Sequence, residues 1–186
     1  MSRAVTASLL GLALSVASSA AGAQAVPRRV VGFGVGLALG GERTSVNTTH
    51  WILQPLNVEV RVPVTARLEL GAHVPVGNVI YGNIAESGQR FVWFDVFATW
   101  YPLRDAGGLF VAPGLGLLYG SNEAARGVGL EIPARVGWEF TRASRAFATA
   151  LSVRPWVDVV FPSGNIDVGT RYGALVELTL IGYVTR

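Results

Sequence analysis

The feature that most constrains the fold is an alternation of apolar and polar residues with a period of two, which recurs in eight segments of the chain. Successive side chains of a β-strand point to opposite faces, so this period predicts strands with one apolar and one polar face. Each segment reaches the length of about 9–11 residues that a tilted strand needs to cross a bilayer. The predicted strands are 31–40, 52–62, 66–76, 91–101, 109–119, 128–140, 147–159 and 170–181.

The polar faces of these strands collect nearly all of the charged residues that lie within strands. On the sixth strand, for example, Glu131, Arg135 and Glu139 alternate with an unbroken apolar face. Residues on one face can meet only residues on the same face of neighbouring strands, so these groups are expected to pair with one another. The predicted polar network is Glu59, Arg61, Arg67, Glu69, His73, Asp95, Glu131, Arg135, Glu139, Arg154, Asp158, Arg171 and Glu177.

The connections between the strands alternate between short and long. The short ones are 63–65, 102–107 and 141–144, and the long ones, rich in Gly, Asn, Ser and Thr, are 41–50, 77–89, 120–126 and 161–168. Short turns at one rim and longer loops at the other are typical of a bacterial outer-membrane β-barrel. The pattern therefore predicts an all-β chain folded as an eight-stranded antiparallel up-and-down barrel.

The N-terminus predicts export. Arg3 precedes an apolar stretch of small residues, and Ala23-Gln24-Ala25 fits the small-x-small pattern of a signal-peptide cleavage site. We expect residues 1–25 to be a signal peptide and residues 26–186 to be a single barrel domain. No later segment reaches the ~18 consecutive apolar residues of a membrane helix, although 51% of the chain is hydrophobic.

Alternation alone leaves open which face of the barrel is in water. A soluble barrel would bury the apolar face, whereas a membrane barrel turns it toward lipid and fills its lumen with the polar face. The glycines favour the membrane barrel, because Gly34, Gly36, Gly114 and Gly116 share the polar face. Glycine weakens a solvent-exposed strand, but inside a narrow lumen it leaves room for bulky side chains such as Trp93 and Phe97.

Aromatic residues on the apolar face also favour the membrane barrel. Trp100, Trp138, Phe140 and Phe147 lie at the rim of the short turns, and Tyr119 and Tyr172 lie at the rim of the long loops. Two such belts are typical of membrane–water interfaces.

Charges in a narrow lumen must be paired, because an unpaired buried charge is costly. The registers that we consider place Glu59 opposite Arg67, Glu131 opposite Arg154, and Asp158 opposite Arg171. A soluble β-barrel and, more remotely, a soluble β-sandwich remain as alternatives.

The middle of the chain resembles a known family. Thr99-Trp100-Tyr101-Pro102-Leu103 ends one predicted strand, and the glycine-rich strand 107–116 follows it. This arrangement is similar to the middle hairpin of the small outer-membrane β-barrels, the superfamily that includes the transmembrane domain of outer-membrane protein A. The resemblance implies a location in the outer membrane. It also implies lipid and lipopolysaccharide as surroundings, and the barrel-assembly machinery as a partner during biogenesis.

The residues suggest little chemistry. The chain has no cysteine and two histidines, which makes a metal site improbable, and no cofactor is expected. We expect His73 to be a lumen hydrogen-bonding residue and His50 to be a residue of a surface loop. Some small barrels hydrolyse lipid A with a His-x-Ser motif, but neither histidine is followed by such a serine. The formal charge of +3 is spread without a basic run, so nucleic acid is not an expected partner.

Three functions follow from these observations. The first is a non-enzymatic role in envelope integrity or in binding a partner through the longer loops. The second is binding or transport of a small or apolar molecule through the barrel. The third is a lipid A-modifying activity. The sequence favours the first.

Overall fold

The computed structural model describes residues 28–44, 49–81, 90–103, 108–121, 126–141, 146–163 and 170–186. The predicted signal peptide lies outside these residues. Eight β-strands make up the described part of the chain, and none of its residues forms a helix long and apolar enough to cross a membrane. The strands are β1 (Arg29–Thr44), β2 (Thr49–Pro63), β3 (Leu68–Tyr81), β4 (Arg90–Trp100), β5 (Gly108–Ser121), β6 (Arg126–Thr141), β7 (Phe147–Ser163) and β8 (Thr170–Thr185).

Each strand pairs antiparallel with the next, and β8 pairs with β1 to close the barrel. Closure gives every strand a hydrogen-bonded neighbour on both sides, which is the condition for placing a sheet in lipid. The β3–β4 ladder is the shortest, because it ends at His73 opposite Asp95 although β3 continues to Tyr81. The prediction of an eight-stranded antiparallel up-and-down barrel is confirmed.

Seven of the eight strands are longer than the sequence predicted, and the long loops are correspondingly shorter; β4 has the predicted length and begins one residue earlier. Residues 41–44, predicted as loop, continue β1, where Glu42 pairs in register with His50 of β2. The prediction that His50 is a surface-loop residue is therefore wrong, because its side chain is buried inside the barrel with 2% exposure. The pairing of β1 with β2 extends because the alternation of inward-facing and outward-facing residues continues beyond the apolar face that marks the predicted strands.

One row of paired residues shows how steeply the strands are tilted. The row starts at Gly34 of β1 and passes from each residue to its partner on the next strand. It returns to β1 at Thr44, which is ten residues farther along the chain than Gly34. The row is Gly34, Glu59, His73, Asp95, Gly116, Glu131, Asp158, Arg171 and Thr44. Such a stagger goes with strands that tilt by roughly 35–45° from the barrel axis.

An irregularity in β2 reverses its alternation. Pro55 and Leu56 are both exposed although they are consecutive, and the register with β3 shifts between Leu53 and Asn57. Proline has no N–H to donate to the ladder and is tolerated at such bulges. As a result Gln54 lies on the same inner face as Asn57.

The two faces of the barrel have opposite character. Large apolar side chains are exposed on all eight strands, whereas every acidic side chain in the described ranges is buried inside. A water-soluble protein rarely exposes apolar patches of more than a few hundred Å². The soluble barrel and the soluble sandwich are therefore wrong alternatives, and the apolar exterior is the surface of a transmembrane barrel.

Candidate functional site

The lumen is the part of the molecule where polar and charged side chains converge. Two groups of buried apolar residues lie inside it, one toward each rim. The short-turn cluster consists of Phe97, Tyr101, Phe110, Ala112, Ala148, Ala150, Ile181 and Tyr183. The long-loop cluster consists of Ala38, Ile52, Trp93, Leu118, Trp156 and Leu175. Charged residues lie between the two clusters and also beyond each of them.

Arg61 links the charges near the short turns. Its guanidinium lies 2.7 Å from the Glu59 carboxylate and 3.1 Å from the Glu139 carboxylate. Arg29 approaches the same region from β1, with its guanidinium 2.9 Å from Glu139 and its Cζ 3.8 Å from the ring centre of Tyr183. The Tyr101 hydroxyl donates a 2.7 Å hydrogen bond to Glu139. Charge pairing and hydrogen bonds together offset the cost of burying these groups.

Arg135 crosses the middle of the lumen. Its guanidinium contacts Glu59 at 2.8 Å and Glu177 at 3.0 Å, and its Cζ lies 4.5 Å from the ring centre of Phe97. Arg154 continues the network, contacting Glu177 at 3.3 Å and Asp95 at 2.9 Å. An unbroken series of ion pairs thus extends from Arg29 near the short turns to Arg154 beside the long-loop cluster.

A second, smaller group of charges lies beyond the long-loop cluster. Arg171 contacts Asp158 at 2.8 Å and Glu42 at 3.6 Å. Between this group and the Arg154 network lie the Trp93 and Trp156 rings, whose centres are 6.1 Å apart and tilted by 53°. The two indole rings therefore fill the lumen between two charged layers.

Glycines make room for the large residues of the lumen. A Cβ atom on Gly32 would lie 2.6 Å from the Tyr183 ring, and one on Gly71 would lie 2.6 Å from the Phe97 ring. Both distances are shorter than carbon atoms tolerate. The glycines of the inner face thus allow the aromatic side chains of other strands to pack directly against the backbone.

The structure buries twelve of the thirteen residues of the predicted polar network inside the barrel. Arg67 is the exception, because β3 begins at Leu68 and Arg67 lies exposed in the turn before it. Its predicted place in the lumen is wrong. This turn occupies residues 64–67, and its Val64 N–H donates a 2.8 Å hydrogen bond to the Leu68 carbonyl.

Of the three predicted cross-strand pairs, only Asp158 opposite Arg171 occurs in the ladder. Glu59 lies opposite His73, so its predicted pairing with Arg67 is wrong. Glu131 lies opposite Asp158, so its predicted position opposite Arg154 is also wrong, although the two side chains still approach to 3.7 Å.

Several lumen residues were missed by the sequence analysis. Arg29 and Glu42 lay outside the predicted strands or at their ends, and Gln54 follows the reversed alternation before Pro55. Trp156 and Tyr183 lie at the alternate positions of their strands that face inward, so alternation alone indicates that they belong to the lumen. Their apolar character gives no sign of an inward position, because charge is what distinguishes the inner face in this sequence.

The aromatic residues of the predicted belts are exposed on the outer surface. Their exposed fractions range from 41% at Trp138 to 60% at Phe147. The structure adds Trp51 and Phe161 to the belt at the long-loop rim, where both are exposed.

His73 has a defined hydrogen-bonding position in the lumen. Its Nδ1 lies 3.2 Å from the Asp95 carboxylate and 3.2 Å from the Arg154 guanidinium. When Nδ1 carries the proton it donates to the carboxylate, and when it does not it accepts from the guanidinium, so each tautomer makes one of these two hydrogen bonds. Within the described ranges, no group of three or more His, Asp or Glu side chains has an arrangement that would hold a metal ion.

The fold has close counterparts among solved structures. Neisserial surface protein A superimposes with a TM-score of 0.53 and 10% sequence identity, over 83% of this chain and 97% of its own. The chain has the fold of an eight-stranded outer-membrane β-barrel. This barrel also matches Ail of Yersinia pestis, with a TM-score of 0.45, 11% identity, and 84% and 98% of the two chains covered. No protein-family model and no curated protein sequence matches the chain.

Proposed function

We propose that residues 1–25 are a cleaved signal peptide and that residues 26–186 form a non-enzymatic, closed barrel in the outer membrane. Its role is structural support of the envelope, or binding of a partner through the loops at the long-loop rim. Lipopolysaccharide surrounds its outer half, and the barrel-assembly machinery inserts it. The filling of the lumen by side chains is the observation that carries this proposal.

Two features of the lumen support a closed barrel. The Trp93 and Trp156 rings occupy its width near the long loops, and the Arg61 and Arg135 networks cross it nearer the short turns. Conduction requires a water-filled path in which ions bind weakly enough to leave. We expect arginines that bind two or three carboxylates each to leave no such path at their level. Activity that depends on passage through the lumen is therefore not expected.

The first test is gel mobility of the membrane-extracted protein in SDS, unheated against boiled. A closed transmembrane barrel should stay folded when unheated, migrate as a compact form and shift on boiling. Planar-bilayer recording of the same preparation should then show no steady ion conductance. A protein that shifts on boiling but forms stable channels would contradict the closed lumen. Recovery of the protein from the soluble periplasmic fraction would contradict the membrane location.

Binding of a small polar molecule in the lumen is the second candidate function. Gln54 and Glu131 favour it, because their side-chain polar atoms are buried and make no hydrogen bond with the residues that the structure describes. The variant Gln54→Leu discriminates between the two functions. If the lumen is only filled with side chains, replacing the unsatisfied amide of Gln54 should leave the free energy of unfolding unchanged or raise it. If the lumen binds a polar solute, Gln54→Leu should weaken binding of that solute to the detergent-extracted barrel.

A further inference from the structure

A groove interrupts the apolar outer surface of the barrel near the short-turn rim. It encloses about 440 Å³ and crosses the wall formed by β6, β7, β8 and β1. Gly182 forms its floor and lies opposite both Phe33 of β1 and Phe147 of β7. A Cβ atom at Gly182 would find its nearest neighbour, an atom of the Phe147 ring, 3.7 Å away at ordinary van der Waals distance, so a larger side chain would fit on the floor without a clash at its Cβ.

The walls of the groove are apolar and project outward. Phe33, Phe140 and Phe147 are all more than half exposed, and Leu180 continues the trough along β8. The groove is one strand wide, since β7 and β1 flank β8 at about 5 Å on either side. An extended hydrocarbon chain has a similar width. In the lipid-facing wall of a membrane barrel, the molecule that fills such a trough is an acyl chain.

Positive charge lies at the rim end of the same two strands. The backbones of Arg28 and Arg186 are joined by two hydrogen bonds of 2.9 Å, and both side chains are exposed. Arg186 follows β8 directly and lies four residues, about 13 Å, beyond Gly182. No acidic side chain competes for the two guanidiniums on the described outer surface, because every acidic side chain in the described ranges is buried in the lumen.

The aromatic belt fixes the depth of these features in the bilayer. Phe140 and Phe147 belong to the belt at the short-turn rim, which faces the periplasm in bacterial barrels. The groove lies at the level of the belt and extends into the hydrocarbon, and the arginines lie outward of it at the level of the lipid headgroups. Arginine forms paired hydrogen bonds with phosphate oxygens. The arrangement matches an amphiphile with an apolar chain and an anionic phosphate head.

We propose that the groove over Gly182 binds one acyl chain of an anionic glycerophospholipid, whose phosphate contacts Arg28 and Arg186. The site rests on the membrane location in the proposed function and adds to it a defined ligand from the periplasmic leaflet.

Native mass spectrometry of the full-length mature protein in detergent tests the site, with phosphatidylglycerol and phosphatidylcholine of identical acyl chains as probes. The unaltered protein should retain one phosphatidylglycerol in preference to phosphatidylcholine. Gly182→Leu fills the floor, and losing contact with about two methylene groups should lower retention of both lipids roughly tenfold. Ala174→Leu, which adds the same side chain elsewhere on the lipid-facing side of β8, should leave retention unchanged.

The arginines are tested separately from the groove. Arg28→Gln combined with Arg186→Gln should abolish the preference for phosphatidylglycerol while phosphatidylcholine is still retained. Arg67→Gln, an exposed arginine in the β2–β3 turn, is the matched control and should preserve the preference.

Three outcomes would overturn the proposal. They are equal retention by Gly182→Leu and Ala174→Leu, an unchanged headgroup preference in the double arginine variant, and a dimer mass lost specifically in Gly182→Leu. The last would make the groove a contact between two copies of the chain. Gel mobility separates these failures from failure of the proposed function. A protein that still shifts on boiling but retains no lipid is a membrane barrel without this site.

Discussion

Arg135 of β6 and Glu59 of β2 come from opposite sides of the barrel, and their side chains form an ion pair of 2.8 Å across the lumen. Each is also bound to a second partner, Arg135 to Glu177 and Glu59 to Arg61. The pair therefore connects strands that share no backbone hydrogen bond.

Removing one member of this pair should destabilise the barrel strongly. We expect Arg135→Met to lower the free energy of unfolding by about 3–5 kcal/mol, because it leaves buried carboxylates without their cation. Urea titration of the barrel in lipid vesicles measures this change. The double variant Arg135→Met/Glu59→Gln should lose less than the sum of the two single variants. Arg67→Gln, on the surface, should change stability by no more than about 0.5 kcal/mol. Additive losses would contradict a direct coupling.

The two indole rings of the long-loop cluster should matter for stability. We expect Trp93→Ala to lower the free energy of unfolding by about 3–5 kcal/mol, since it removes a large buried side chain from a packed lumen. It should not open a conductance in planar-bilayer recording, because the Arg61 and Arg135 networks still cross the lumen nearer the short turns. Trp100→Ala changes an outward-facing tryptophan and provides the control. If Trp93→Ala formed stable channels, the arginine networks would not close the lumen, and if it stayed as stable as the unaltered protein, the indole pair would not stabilise the barrel.

Two glycines should respond in opposite ways to the same substitution. A Cβ on Gly40 would collide with the carbonyl oxygen of Ala174, and it would lie 2.8 Å from the Leu175 Cα, so the backbone of β8 would have to move. We expect Gly40→Ala to cost about 1–3 kcal/mol. At Gly77 the nearest atom, Pro55 Cγ, is 4.0 Å away. Gly77→Ala should be neutral or stabilising by up to about 1 kcal/mol. Equal effects in urea titration would show that the β1–β8 backbones are not in close contact.

Barrel closure can be tested by a cross-link, because the chain contains no cysteine. Val35 and Leu180 lie directly opposite each other across the β1–β8 seam. Cysteines at these two positions should oxidise to a disulfide, which an electrophoretic shift without reductant would reveal. Cysteines at Val35 and Leu178 form a diagonal pair about 7–8 Å apart and should link poorly. Efficient linking of the diagonal pair alone would mean that the seam has a different register.

The sequence predicted which residues face inward far better than it predicted which of them meet. Inward parity depends on alternation within one strand, and Glu131, Arg135 and Glu139 show that alternation without interruption. Register depends on where a turn begins. The β2–β3 turn extends to Arg67, one residue before β3 begins, so Glu59 faces His73 instead of Arg67. The bulge at Pro55 likewise changes parity through backbone geometry that apolar spacing alone does not indicate.

The same distinction applies to the groove over Gly182. The glycine is visible in the sequence, but its neighbours Phe33 and Phe147 belong to strands at opposite ends of the chain. Only closure of the barrel brings them to either side of it. Alternation within β8 could place Gly182 on the outer face, but it could not predict that the position is enclosed by two phenylalanines.

The displacement of ten residues between Gly34 and Thr44 limits which insertions and deletions the chain can accept. In a closed barrel the number of strands and the total stagger together set the radius. A slip of two residues at one hairpin would therefore widen or narrow the whole tube unless another seam slipped back by the same amount. A wider tube would separate Arg135 from Glu59, and a narrower one would force Trp93 into Trp156. The radius of the barrel and the side chains that fill its lumen thus constrain each other. Insertions and deletions should therefore be tolerated in the loops and excluded from the strands.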